Sequence, residues 1–280
     1  MNVLEFTALV WAASLAAGFL GSLTGLGGGV IIVPLLALRF GIDIHYAMGA
    51  SLVSVIATSS GAAAAYVKEG YSNIRIGMFL EIATTVGALV GAYLLVLHLV
   101  SAEAVAVIFG AVLLVSAYLS SRSKPGQPGD DRPDPLATRL RMDSTYPTPQ
   151  GPQAYHVHRV PIGFGMMFIA GLLSGLLGIG SGAFKVLAMD QAMRIPFKVS
   201  TTTSNFMIGV TAAASAGIYL SRGYIRPGLA MPVMLGVLLG SMLGARVLVV
   251  VETRLLRIVF GLVILALGVE MIYKGISGNL

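Results

Sequence analysis

Residues 21–36 read GSLTGLGGGVIIVPLL, with Gly25, Gly27, Gly28 and Gly29 set inside a stretch otherwise as apolar as a membrane span. Glycine loses more conformational entropy on folding than any other residue, so this cluster predicts a break in a helix at about mid-membrane depth. In hydrocarbon an unpaired backbone amide costs several kcal/mol. Non-helical backbone is tolerated there only where protein buries it or where it lines a cavity.

The surrounding chain has the composition of a bilayer protein. Of its 280 residues, 56% are hydrophobic and 11% charged, and the mean hydropathy is +0.87; soluble domains run near about 25% charged. At about 20 residues per crossing, eight apolar segments can be placed, at residues 4–38, 46–67, 74–100, 102–120, 160–189, 200–220, 228–251 and 255–272. The absence of Cys excludes disulfides, thiolate metal sites and a cysteine-based sulfur relay. A net charge of +6 would suggest nucleic acid in a soluble protein. Here the basic residues lie mostly in loops between spans, so a solvated collar is the simpler reading and no nucleic-acid partner is expected. Residues 1–7 hold Glu5 and no Lys or Arg, unlike the positive start of a cleaved signal, and the first segment is read as retained.

Shifted by 153 residues, the chain aligns with itself without a gap: AGFLGSLTGLGGG from Ala17 falls on AGLLSGLLGIGSG from Ala170, and YVKEGY from Tyr66 on YLSRGY from Tyr219. Gly87 and Gly91 fall on Gly240 and Gly244, and Ser51 and Thr58 on Ser204 and Thr211. One register held from Ala17 to Ala92 predicts a duplicated four-segment unit. The expected fold is therefore an all-α integral membrane protein, with residues 1–120 as a first repeat and 160–280 as a second. Between them, residues 121–159 carry seven of the twelve prolines and six Lys or Arg, the composition of a mobile extramembrane linker. His156 and His158 lack a Cys or carboxylate beside them in sequence and are read as surface residues; no metal or other cofactor is expected.

The first segment, residues 4–38, would be about 52 Å long as one helix, more than a crossing needs. It and its counterpart are each either an over-long helix or a re-entrant hairpin broken at the glycines. With full crossings the repeats are parallel, and Lys plus Arg divide eleven on the linker side to seven opposite. With hairpins the repeats are inverted and the division is fourteen to four. The positive-inside rule favours inversion, with both termini outside the cytoplasm.

The breaks at residues 24–29 and 177–182 should face each other, each followed by a short helix from Val30 or Ala183 whose N-terminus favours anions. The alternative is a small-residue packing face, which suits Gly87, Gly91, Gly240 and Gly244 at every fourth residue. The glycines of 25–29 run round the whole helix instead, which favours a broken-helix binding site built from Thr24, Gly25, Gly27, Gly28 and Gly29 with Gly178, Gly180, Ser181 and Gly182. Hydroxyls and amides of Ser51, Thr202, Thr203, Ser204 and Asn205 converge there if the second and sixth segments pack on the breaks; helix capping and back-bonding are the competing reading. Lys185, at the position of Ile32 in the first repeat, is either a counter-charge to an anion or a side chain snorkelling to headgroups. Glu81 and Asp190 are candidate proton carriers or structural partners of a cation.

The paired GFLGSLTGLGGGVIIVPLL and GLLSGLLGIGSGAFKVLAM, each opening a four-segment half, resemble the sulfite exporter TauE/SafE family of membrane anion transporters. The resemblance covers nearly the whole chain outside the linker. It implies a multi-pass carrier in the inner membrane of a bacterial or archaeal cell, moving sulfite or a related organosulfonate, commonly outward and coupled to protons, with the site at Gly25 to Gly29 and Gly178 to Gly182. The chain departs from its own first motif in Ser181, which stands where the first half has Gly28, and in the charges Lys185 and Asp190. A passive anion channel or a carrier of another small organic anion is the alternative. A membrane enzyme is not expected, since no nucleophile or metal constellation is present in the sequence.

Overall fold

The computed structural model describes residues 2–24, 27–68, 70–97, 101–122, 134–148, 151–250 and 253–277. The first half is α1 (Val3–Thr24), α2 (Gly29–Pro34) running into a π-helical turn (Leu35–Arg39), α3 (Ile44–Lys68), α4 (Ile74–Val96) and α5 (Ala102–Arg122). After α6 (Pro135–Arg139), β1 (Ser144–Thr148) and β2 (Gly151–Tyr155), the order repeats. It runs α7 (Val160–Leu177), α8 (Gly182–Leu187) with a π-helical turn (Ala188–Ala192), α9 (Phe197–Ser221), α10 (Pro227–Val250) and α11 (Thr253–Ser277). Among the described residues, four helices are long and apolar enough to cross a membrane: Leu4–Leu23, Ile74–Val96, Val160–Leu177 and Pro227–Val247.

Both interrupted segments double back. After α2 and its π turn, Phe40 stands edge-on to Phe6 near the start of α1, with ring centroids 5.4 Å apart. In the second half the carbonyl of Met193, just past the π turn, accepts from the amide of His158 at 3.1 Å, just before α7. A single straight helix would put these ends tens of ångströms apart, so each glycine break is the tip of a hairpin.

Helices pack in pairs that exchange under the same shift: α1 lies along α10 and α4 along α7, while α3 meets α9 and α5 meets α11. Small residues set the closest approach. A Cβ at Gly240 would land on the carbonyl oxygen of Leu15, and one at Gly87 on that of Phe168, the same contact made twice. Glycine on every fourth position lets the two backbones meet, the packing expected from the sequence.

Part of the linker is folded, against the expectation of mobility. Asp134 caps α6 through the amide of Leu136 at 2.8 Å, and its other oxygen accepts from the amide of Val160 at 2.9 Å, so one side chain ties the linker to α7. Asn73, before α4, donates to the Tyr155 hydroxyl at 2.7 Å and to the Met142 carbonyl at 2.9 Å. Ala137, Met142, Tyr155 and Val157 are buried in one cluster with Ile76, Leu80 and Met193. Burial raises the Tyr155 hydroxyl above its ordinary pKa, so it stays protonated within this network. The hairpin is also the one exception to an all-α chain among the described residues. Asp134→Ala removes a cap and an anchor together; we expect a loss of about 1–2 kcal/mol, read as a lower melting temperature in detergent.

Candidate functional site: two facing helix breaks

The break after α1 needs glycine for two separate reasons. Gly27 has φ +70, a conformation that L side chains rarely adopt, and a Cβ there would come within 2.7 Å of Ile208. Gly29 is helical, but a Cβ on it would meet Val55 and come within 2.5 Å of the Ser51 hydroxyl. The second break repeats the design: Gly178 and Gly180 have φ +65 and +73, and a Cβ at Gly180 would lie 2.6 Å from Val55. Val55 and Ile208 occupy equivalent repeat positions and both are fully buried. Each touches both breaks, since a Cβ at Gly27 or Gly180 would also have the other of the two within 4 Å. The carbonyl of Ile179 lies 3.4 Å from that same Cβ position at Gly29, so the two hairpin tips meet.

Around the tips, buried polar atoms stand without partners. The hydroxyls of Ser51 and Ser181 and Oδ1 of Asn205 make no hydrogen bond, though Ser51 and Asn205 are wholly buried and Ser181 is 2% exposed. Buried polar groups are nearly always paired, and an orphan hydroxyl costs about 1–3 kcal/mol. Ser51 beside Gly29 and Ser181 beside Gly180 are the two orphans at the tips; the hydroxyls of Ser14, Ser72, Ser174 and Thr201 are others among the described residues. Neither short helix has a side-chain cap: Gly28 has no side chain to offer, and Ser181, held at φ 53, does not turn its hydroxyl onto α8. The Gly28 amide donates instead to Thr58 at 3.3 Å.

The expected site residues divide. Gly27, Gly28, Gly29, Ser51, Gly180 and Ser181 are brought together at the junction; Gly178 instead packs on Met48 of α3, and Ser204 reaches the second break by donating to the Gly182 carbonyl at 3.3 Å. Asn205 fastens α9 to α1 by donating to the Ser22 carbonyl at 3.1 Å. Thr202 and Thr203 face elsewhere: Thr202 donates to the Tyr71 carbonyl at 3.0 Å and Thr203 accepts from the Asn73 amide at 3.0 Å, so both hold the connection between α3 and α4. Thr24 ends α1 and Gly25 lies outside the described residues. Asp190 sits half-buried in the π turn after α8.

Lys185 does not snorkel. It is fully buried, and its Nζ donates to Glu81 Oε2 at 3.2 Å and to the Thr211 hydroxyl. Thr211 in turn donates to Glu81 Oε1 at 2.5 Å, and Thr85 reaches the same oxygen at 3.2 Å. Three elements, α4, α8 and α9, thus close one buried triad. Sequence reasoning passed over Thr211 and the Val55–Ile208 pair. Their equivalence under the repeat was the available signal.

Long apolar helices in two exchangeable sets, broken at two facing points, define a multi-pass membrane protein. Residues 10–271 match the family described as Sulfite exporter TauE/SafE. The chain belongs to that family. It is 29% identical over 281 residues to "Probable membrane transporter protein YunE" of Bacillus subtilis, covering 98% of this chain and 99% of that one. It is 26% identical to YdhB of the same organism, over 82% and 83% of the two chains. A match to "Probable membrane transporter protein MJ0441" of Methanocaldococcus jannaschii, at 25% identity, covers 91% of each. No solved structure matches the chain.

Proposed function

We propose that this transporter is a secondary carrier of small sulfur-containing anions, sulfite or an organosulfonate, exporting them across the inner membrane. The anion sits between the two hairpin tips. The observation that carries this reading is the junction itself: two glycine breaks meet beside unpartnered Ser51 and Ser181 hydroxyls, donors of the kind an oxyanion needs. Asn205 Oδ1 supplies an acceptor for a protonated oxygen of such an anion. The family name supports a sulfur oxyanion.

The halves are inverted repeats with re-entrant first segments. Phe40 returning to Phe6, and Met193 to His158, supports this topology, since each hairpin then leaves the following helix starting on the side where its segment began. Taking the buried Lys185 out of the loops leaves Lys plus Arg at thirteen to four, still in favour of inversion with the linker cytoplasmic. Rocking of one repeat against the other about the shared junction then gives alternating access.

The test is uptake of radiolabelled sulfite, sulfoacetate, sulfate and chloride into proteoliposomes. Saturable flux of a sulfur anion that the others inhibit weakly is the expected result; equal, non-saturating flux of all four would mean a channel. Ser51→Ala and Ser181→Ala each remove one donor to a charged ligand, worth about 1.5–3 kcal/mol, so each is expected to raise the half-saturating concentration by about tenfold or more with folding unchanged.

A further inference from the structure

Resting on the carrier reading above, we propose that the Glu81–Lys185–Thr211 triad makes transport electroneutral for a monoanion by exchanging partners on Lys185: one proton moves onto Glu81 for each anion bound. The triad lies close to the junction, since Thr211 follows Ile208 by three residues on α9 and so shares its face, and Lys185 follows Gly182 by three on α8. As it stands the unit is closed and neutral, with Nζ held by Glu81 and Thr211. An anion arriving beside it would leave a buried net negative charge, which is strongly disfavoured. A proton from the same aqueous phase on the Glu81 carboxylate restores neutrality and releases the Lys185 ammonium to face the anion. On the other side the anion leaves, Glu81 gives up its proton to water, and the pair re-forms.

The device is confined to one half. The repeat positions of Lys185 and Glu81 are Ile32 and Met234, while Thr58, the partner of Thr211, holds the Gly28 amide. One buried Lys–Glu pair among the described residues therefore sets one proton per anion. Among the elements packed around the pair, α7 carries no titratable side chain and α4 adds only Arg75 and Tyr93. Lys198 opens α9 and Tyr219 lies two turns beyond Thr211; Asp190 is in the π turn after α8. On α5 the titratable groups are Glu103, Tyr118 and Arg122. Lys185 is the cation that meets Glu81 in an ion pair.

The consequence is that flux follows the anion and proton gradients and ignores membrane potential. The experiment measures radiolabelled sulfite uptake in mildly acidic buffer, where the probe is mainly the monoanion hydrogensulfite, with the potential clamped at either sign by potassium and valinomycin. Proton movement is followed by an enclosed pH dye. For the parent we expect equal rates at both signs and one proton per sulfite. Glu81→Gln holds the carboxyl position neutral, so its flux should follow the potential and carry no proton; Glu81→Asp should stay electroneutral at a lower rate. Saturable parent flux that reverses with the sign of the potential would overturn the exchange while leaving the carrier standing, even if Glu81→Gln fails to fold. A parent that moves none of the four anions would overturn the carrier reading and this inference with it.

Discussion

Replacing Lys185 by Met is expected to cost about 3–5 kcal/mol of stability, because it leaves the Glu81 carboxylate buried without its cation. The substitution is nearly isosteric in its stem, so packing alone predicts a much smaller loss. What fails is charge compensation: Glu81 is 8% exposed, and its remaining partners are the Thr85 and Thr211 hydroxyls. Melting temperature in detergent and the yield of monodisperse protein are the measurements. Glu81→Gln combined with Lys185→Met removes both charges and should recover most of the loss, as replacing a buried pair outright often does. Full stability in Lys185→Met alone would mean that water or lipid headgroups reach Glu81, and that the triad is not the closed unit described above.

The glycine breaks were legible in the sequence because entropy and chirality act locally. A cluster of residues without a Cβ marks backbone that favours glycine, as Gly27 and Gly180 do at positive φ, and its recurrence 153 residues later marks it twice. The packing glycines were legible for a related reason, a fixed spacing on one stripe. Glu81 and Lys185 could each be singled out as costly in a membrane, but their pairing spans 104 residues and depends on how α4 and α8 meet at α9. No local rule encodes that. The hydroxyls of residues 201–204 show the limit from the other side: a run of donors on an α-helix points in several directions, and Thr202 and Thr203 turn to the α3–α4 connection while Ser204 turns to α8. In the described part of the linker, composition misled: Pro135, Pro147 and Pro152 are compatible with a capped helix and a hairpin once Asp134 and Asn73 give the backbone fixed partners.

The neighbouring glycines Gly28 and Gly29 separate a binding site from a packing feature. Both have backbone that alanine accepts, so neither substitution carries the strain that Gly27 or Gly180 would. At Gly28 a Cβ would sit 3.0 Å from Val237 and 3.2 Å from the Thr58 hydroxyl, contacts that a shift of a few tenths of an ångström relieves, against the closer overlaps at Gly29. At Gly29 it would press on Val55 and on the unpartnered Ser51 hydroxyl. Alanine also favours the helix over glycine by about 0.5–1 kcal/mol, which offsets part of the crowding. Gly28→Ala is therefore expected to fold and transport like the parent. Gly29→Ala is expected to lose about 1–3 kcal/mol of stability to crowding against Val55 and to lose sulfite uptake by more than Ser51→Ala, because it displaces the same donor and also fills the volume beside it. If Gly29→Ala transports normally with Ser51→Ala impaired, the ligand approaches Ser51 from the α3 side and not from the hairpin tip. If both are normal, the orphaned hydroxyls are a local imperfection and the breaks serve only to let two helices pack tip to tip.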